Sequence, residues 1–140
     1  MDPFRQAIHT FLTAQAPVTG LLGDGSDGIY HRRAPVSAAD PLVVFERRTG
    51  IDRYLFGTGE LLEETWAVRA IVKEAEGKGV ALAEQIAAAI DDALHDAQLL
   101  VVDHRVLWLR RLSMIDYEEP DGQTRFHHCG GVYRLASEPA

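Results

Sequence analysis

The stretch Leu62-Glu63-Glu64-Thr65-Trp66-Ala67-Val68-Arg69-Ala70-Ile71-Val72-Lys73 decides the fold. Leu62, Trp66, Val68, Ala70 and Val72 fall on one side of an extended chain, and Glu63, Thr65, Arg69 and Lys73 fall on the other. Successive strand residues point to opposite faces. Period-two alternation with one dry and one wet face therefore predicts a strand of an antiparallel sheet covered on one side.

Downstream, Gly77-Lys78-Gly79 breaks the chain, and the spacing then predicts a helix from Val80 to Ala97. Leu82, Ile86, Ile90, Ala93 and Leu94 form its core stripe, with Glu84, Gln85, Asp91, Asp92 and Asp96 outside it. Two more strands are predicted, Val106 to Tyr117 and Arg125 to Leu135, joined by Glu119-Pro120-Asp121-Gly122. Pro presets φ in such a turn and Gly accepts φ > 0. In the last strand Cys129, Tyr133 and Leu135 share one side, and His128 and Arg134 the other; Ser137 to Ala140 reads as a frayed tail.

Upstream, Asp2 before Pro3 is an N-cap signal with Pro at the first helical position. Phe4, Ala7, Ile8, Phe11 and Leu12 give that helix its apolar face, and Pro17 ends it near Ala16. Glycines and aspartates make Val18 to Gly28 a loop around Leu21-Leu22. Ile29-Tyr30-His31 starts a short strand, Ala34 to Pro41 is a second loop, and Leu42 to Phe45 suits an inner strand. Thr49-Gly50 is the expected turn, with Tyr54-Leu55-Phe56 a short extension ending at Gly57-Thr58-Gly59. The expected architecture is α+β. It is one domain over residues 1–140, with a mainly antiparallel or mixed sheet of about five strands and two helices packed on one face.

Composition narrows the function classes. The 140 residues are 46% hydrophobic and 25% charged, enough for a real core. The net charge of −7 repels phosphate backbones and lowers the case for a nucleic-acid reader. One cysteine, Cys129, allows no intrachain disulfide and fits a reducing compartment. No basic and apolar leader opens the chain, and no run reaches the roughly 18 apolar residues of a membrane span, so cytoplasmic synthesis without membrane attachment is expected.

The chemical motifs weaken on inspection. His127 and His128 alternate faces, and His127 with Cys129 lacks the four-ligand spacing of a structural zinc site, so no metal is expected. Gly77-Lys78-Gly79 lacks the upstream Gly and the following Ser/Thr of a phosphate loop. Ser26, Ser37, Ser113 and Ser137 sit in no nucleophile elbow. No catalytic residue and no cofactor is assigned. Basic clusters at Arg32-Arg33 and at Arg47-Arg48 with Arg53 stand out against the acidic background. They read either as solvated edge protection or as a subunit interface. In the second reading Arg32, Arg33, Arg47, Arg48, Arg53 and Tyr54 meet Glu60, Glu63 or Glu64 of a neighbour, with Gly50 to Gly59 as an arm.

Taken in order, these pieces resemble the tail terminators, the tail-completion proteins of siphophages that also occur in gene transfer agents. The resemblance rests on the N-terminal helix, Gly28-Ile29-Tyr30, Pro35 followed by Pro41-Leu42-Val43-Val44-Phe45, and the Trp66 strand. The Ala-rich helix Leu82 to Leu94 and the final strand with Tyr133-Arg134 complete it. It implies a structural virion protein assembled in the bacterial host cytoplasm. Such a protein is a homo-oligomeric ring, usually a hexamer, that binds the tail tube protein, halts tube growth and presents a surface to the head connector. DNA then passes through the lumen without specific binding. A head–tail adaptor or neck protein shares this build, and a small enzyme would need a polar pocket that no motif supplies. The Gly20 to Gly28 segment departs from many relatives.

Overall fold

The computed structural model describes residues 2–54 and 60–140. Asp2 caps helix α1 (Pro3–Thr13) through its carboxylate, which accepts from the Phe4 N–H at 2.9 Å. Phe4, Ile8 and Leu12 face inward. The chain does not stay helical to Ala16. Pro17 sits in the first turn of a second helix, α2 (Ala16–Thr19), where its missing N–H has no helical partner to lose. A 3₁₀ turn (Gly25–Gly28) follows. The Gly/Asp segment is pinned there by Asp24, whose carboxylate accepts from the Ala39 N–H at 3.1 Å and the Tyr30 hydroxyl at 3.4 Å.

The strands are β1 (Ile29–His31), β2 (Leu42–Tyr54), β3 (Glu60–Lys73), β4 (Leu100–Val101), β5 (His104–Asp121) and β6 (Thr124–Pro139), with α3 (Gly79–Leu94) between β3 and β4. They form one sheet in the order β1-β2-β3-β6-β5-β4, in which β1 runs parallel to β2 and every other pairing is antiparallel. The α+β class stands, with six strands and three helices among the described residues in place of about five and two. The two-residue β4 is too short to leave a periodic signal.

Two expected boundaries are corrected. Thr49-Gly50 is no turn, because β2 runs straight through it. The Thr49 hydroxyl lies 2.6 Å from that of Thr65 across the ladder, and the extra residue Arg48 is absorbed as a bulge. The extension beyond Tyr54 and the break at Gly57-Thr58-Gly59 lie outside the described residues. The chain end is not frayed either. Ser137 is fully buried and pairs with Leu62 on one side and Val106 on the other. The turn lies two residues later than expected: Glu119 and Pro120 pair with Phe126 and Arg125 as strand residues, and the chain reverses between Asp121 and Thr124, with Gly122 at φ 62°.

The core lies between the sheet and its helices. Trp66, Val68, Ala70 and Val72 of β3 pack with Val43 and Phe45 of β2 and with Cys129, Tyr133 and Leu135 of β6. Ala83, Ile86, Ile90 and Leu94 of α3 cover them, beside the inward face of α1. The Tyr133 hydroxyl donates to Asp91 of α3 at 2.9 Å. Burial and then this carboxylate push the phenol well above its ordinary range, so it stays a donor. The opposite face carries no helix among the described residues and is polar. Arg69 lies 3.4 Å from Glu46, and Arg134 and Arg53 both hold Glu63, at 2.7 and 3.2 Å.

Candidate assembly surface

An antiparallel ladder leaves a row of unpaired N–H and C=O groups at each outer strand unless something covers it. Here β2 is covered at its beginning, and β5 as far as Arg111. β1 pairs with Val43 to Phe45 of β2, and β4 pairs with His104 and Arg105 of β5. Among the described residues, Glu46 to Tyr54 on one side and Leu112 to Asp121 on the other pair inward alone, whereas the Leu109 carbonyl accepts from the Asp96 N–H at 2.9 Å and the Arg111 N–H donates to His95 Nδ1 at 3.2 Å.

The two edges differ in chemistry. Along β2 the exposed side chains include Arg48 at the bulge, Ile51 and Tyr54, and Arg32 and Arg33 follow β1 beside it. Arg32 adopts φ 64° and donates its N–H to the Phe45 carbonyl, which closes the end of β1. The lower part of β5 is acidic, with exposed Asp116, Glu118, Glu119 and Asp121. Its upper part is apolar. The β5–β6 register steps from Val106 opposite Ser137 to Trp108 opposite Ala136, and again from Arg111 opposite Tyr133 to Ser113 opposite Val132. The extra residues are Leu107 and Leu112, 46% and 59% exposed. A bulge re-aims the side chain it carries. Leu100 and Val102, 91% and 70% exposed, line with Leu107 a surface hollow of about 710 Å³.

The nine interface candidates divide into groups. Arg47 and Glu64 meet within the chain, where Arg47 bridges Glu64 and the cap residue Asp2 and lies 4.8 Å above the Trp66 ring. Arg53 meets Glu63 in the same way across the β2–β3 hairpin. Glu64 falls on the dry side of β3, is 3% exposed, and its second carboxylate oxygen has no partner among the described residues. Burial, with Asp2 nearby, raises its pKa despite Arg47. Arg32, Arg33, Arg48 and Tyr54 remain exposed on or beside β2, and Glu60 at the start of β3. The bulges at Leu107 and Leu112 were not read from the sequence. Their signal was the broken alternation of Val106-Leu107-Trp108-Leu109 followed by the Arg110-Arg111 doublet.

The titratable pairs elsewhere serve packing. His127 lies 2.5 Å from Glu74 at the start of α3, on the helix face. Cys129 is buried against Asp116, and burial followed by that carboxylate pushes its thiol up to about 11, the opposite of an activated nucleophile. Among the described residues no group of three or more His, Cys, Asp or Glu is placed to hold a metal ion. No described helix is long and apolar enough to cross a membrane.

Two edge stretches of the one sheet, Glu46 to Tyr54 and Leu112 to Asp121, thus stand open among the described residues. The comparisons identify the family. The family model described as tail completion protein gp17 matches residues 6–129, and the chain belongs to that family. It is accordingly a structural protein of the tail or neck of a phage-like particle. None of the curated proteins compared matches it. A chain from the virion of a native gene transfer agent particle superposes with a TM-score of 0.78 at 23% identity, covering 97% of this chain and 95% of that one. A second solved chain superposes with a TM-score of 0.61 at 14% identity, covering 99% and 94%. These two likenesses establish the fold.

Proposed function

We propose that this protein is the tail terminator of its particle. Copies close into a ring, expected to be a hexamer, on the end of the tail tube; the ring stops tube growth and offers its far side to the head connector. The observation that carries this reading is the pair of open edge stretches at opposite sides of one sheet, Glu46 to Tyr54 of β2 beside Arg32 and Arg33, and Leu112 to Asp121 of β5 with its exposed carboxylates. A surface that fits a different surface of its own copy makes heterologous contacts, and such contacts close by rotation into rings. Family membership and the likeness to a gene transfer agent virion chain support the virion setting. DNA passes through the lumen without specific binding, in keeping with a net charge of −7.

Light scattering of the purified protein over a concentration series, followed by electron microscopy with tail tubes, tests this. A ring seated on tube ends, and overlong tails when the protein is withheld, are expected. A chain that never seats on tubes but binds the connector overturns the terminator role in favour of a head–tail adaptor.

A further inference from the structure

We infer that the groove between α1 and β1 docks a carboxylate-bearing segment of another protein of the particle. The inference goes beyond the ring reading and does not rest on it. The groove measures about 440 Å³. Arg5, Gln6, His9 and Thr10 form its helix wall, and Tyr30 and His31 its strand wall. Arg5 and His9 stand about one helical turn apart and so share a face, while Phe4, Ile8 and Leu12 turn the other side of α1 into the core. Phe45 is the floor. Its buried ring lies 6.0 Å from the His9 imidazole and 5.4 Å from that of His31.

Charge decides the occupant. The whole chain carries −7, yet no carboxylate lines this groove. Among the described residues Arg5, Arg32 and Arg33 make no ion pair, whereas every other arginine is held by a carboxylate. All three gather here, Arg5 on the wall and Arg32 and Arg33 directly after His31. Burial first, then Arg5 and Arg32, hold the His31 pKa below its ordinary value despite Asp2 and Glu46, so both guanidinium groups act on this imidazole. The carboxylates nearby are already engaged. Asp2 is taken by Arg47 and the start of α1, Glu46 by Arg48 and Arg69, and Asp24 by the Tyr30 hydroxyl and the Ala39 N–H. The unanswered positive charge is complementary to a carboxylate brought by a partner.

Two other occupants fit less well. His31 is level with Phe45, Val68, Gly131 and Met114, so Arg32 and Arg33 stand level with Ser113 and Arg111 rather than with the acidic end of β5. A second copy docked edge to edge therefore does not supply the acid. A nucleic-acid backbone would meet Asp24 and Asp27, which lie close enough to act on the Tyr30 hydroxyl, and a net charge of −7 beyond them.

The test adds two probes in turn to the full chain at low salt, a blocked peptide of alternating Glu and Leu and a short DNA duplex. The peptide should move the ring-proton NMR signals of His9 and His31. It should also raise the pH at which His31 gains its proton, since a bound anion favours the charged imidazole. By linkage the peptide then binds more tightly as pH falls from about 7.5 to about 6. Arg5→Gln with Arg33→Gln should weaken peptide binding about tenfold and leave the melting temperature unchanged. A peptide that leaves both histidine signals still, or binds the Gln variant as tightly as the parent, overturns the inference. A duplex that moves those signals at lower concentration than the peptide makes the groove a phosphate site and overturns it too. Either failure leaves the ring reading untouched.

Discussion

Removing the Arg47 guanidinium would leave Glu64 as a buried carboxylate with no counter-charge, and would also free the cap residue Asp2 and uncover the Trp66 ring. Breaking a fully buried pair costs about 3–5 kcal/mol. Arg47 keeps about a third of its side chain in water, so Arg47→Ala is expected to lose about 2 kcal/mol once the wet side is discounted. Urea unfolding measures this directly. Since the liability is the orphaned carboxylate, the double variant Arg47→Met with Glu64→Leu should recover most of the loss. A double variant as unstable as the single one would show that the arginine acts through the α1 cap and the indole instead. The sequence marked both residues as special and left them either as solvated edge protection or as a contact between subunits; the structure shows that they meet within the chain. Glu64 shares the parity of Trp66, and that parity was the available sign that its partner lies within the chain.

At the scale of the element, the outer ends of β3, β6 and β5 are tied together by His128 on the helix-free face. Arg69 donates from Nε to the His128 Nδ1 at 3.2 Å, and Nε2–H points to Glu119 at 3.2 Å. Tyr117 stacks on the ring at 4.3 Å, and Glu46 stands behind Arg69. With Nδ1 accepting from a guanidinium, the ring has no place for a second proton. Burial first, and Arg69 next, hold its pKa below the usual value despite Glu119. Both folded and unfolded chains carry neutral histidine above the ordinary pKa of about 6.5. As pH falls through that value towards the lowered one, the unfolded chain takes up the proton first, so stability drops. The melting temperature of the parent should therefore fall more steeply between about pH 7 and 5 than that of His128→Gln. Parallel profiles would sink the clamp. The elements themselves were largely legible in the sequence. β3, α3 and the β5–β6 turn have strong periods or turn chemistry, and the split of Cys129 and Tyr133 from His128 and Arg134 holds residue by residue. Bulges left at most a broken alternation, which was passed over. An inserted residue shifts the alternation without changing composition, which is why β2 was cut at Thr49-Gly50 and the leucines of β5 passed as ordinary strand residues.

For the whole molecule, salt separates two accounts of how copies meet. A seam made of arginines and carboxylates across the edges would weaken as ions screen it, since the Debye length shrinks from about 14 Å at 0.05 M to about 4 Å at 0.5 M salt. An apolar seam behaves differently. Burial of leucine side chains is insensitive to that screening, so its affinity holds. If the basic flank of one edge meets the acidic foot of the other, that attraction steers encounter, and steering acts on the association rate more than on the final affinity. Moving from about 0.05 to 0.5 M salt should then slow ring formation about tenfold while shifting the half-assembly concentration less than threefold. Stopped-flow scattering gives the rate, and equilibrium mass gives the affinity. If affinity falls together with rate, the exposed Arg32, Arg33 and Arg48 carry the joint themselves and the leucines are bystanders. If neither changes, the charged flanks of the edges do not face each other, and copies meet through surfaces other than β2 and β5.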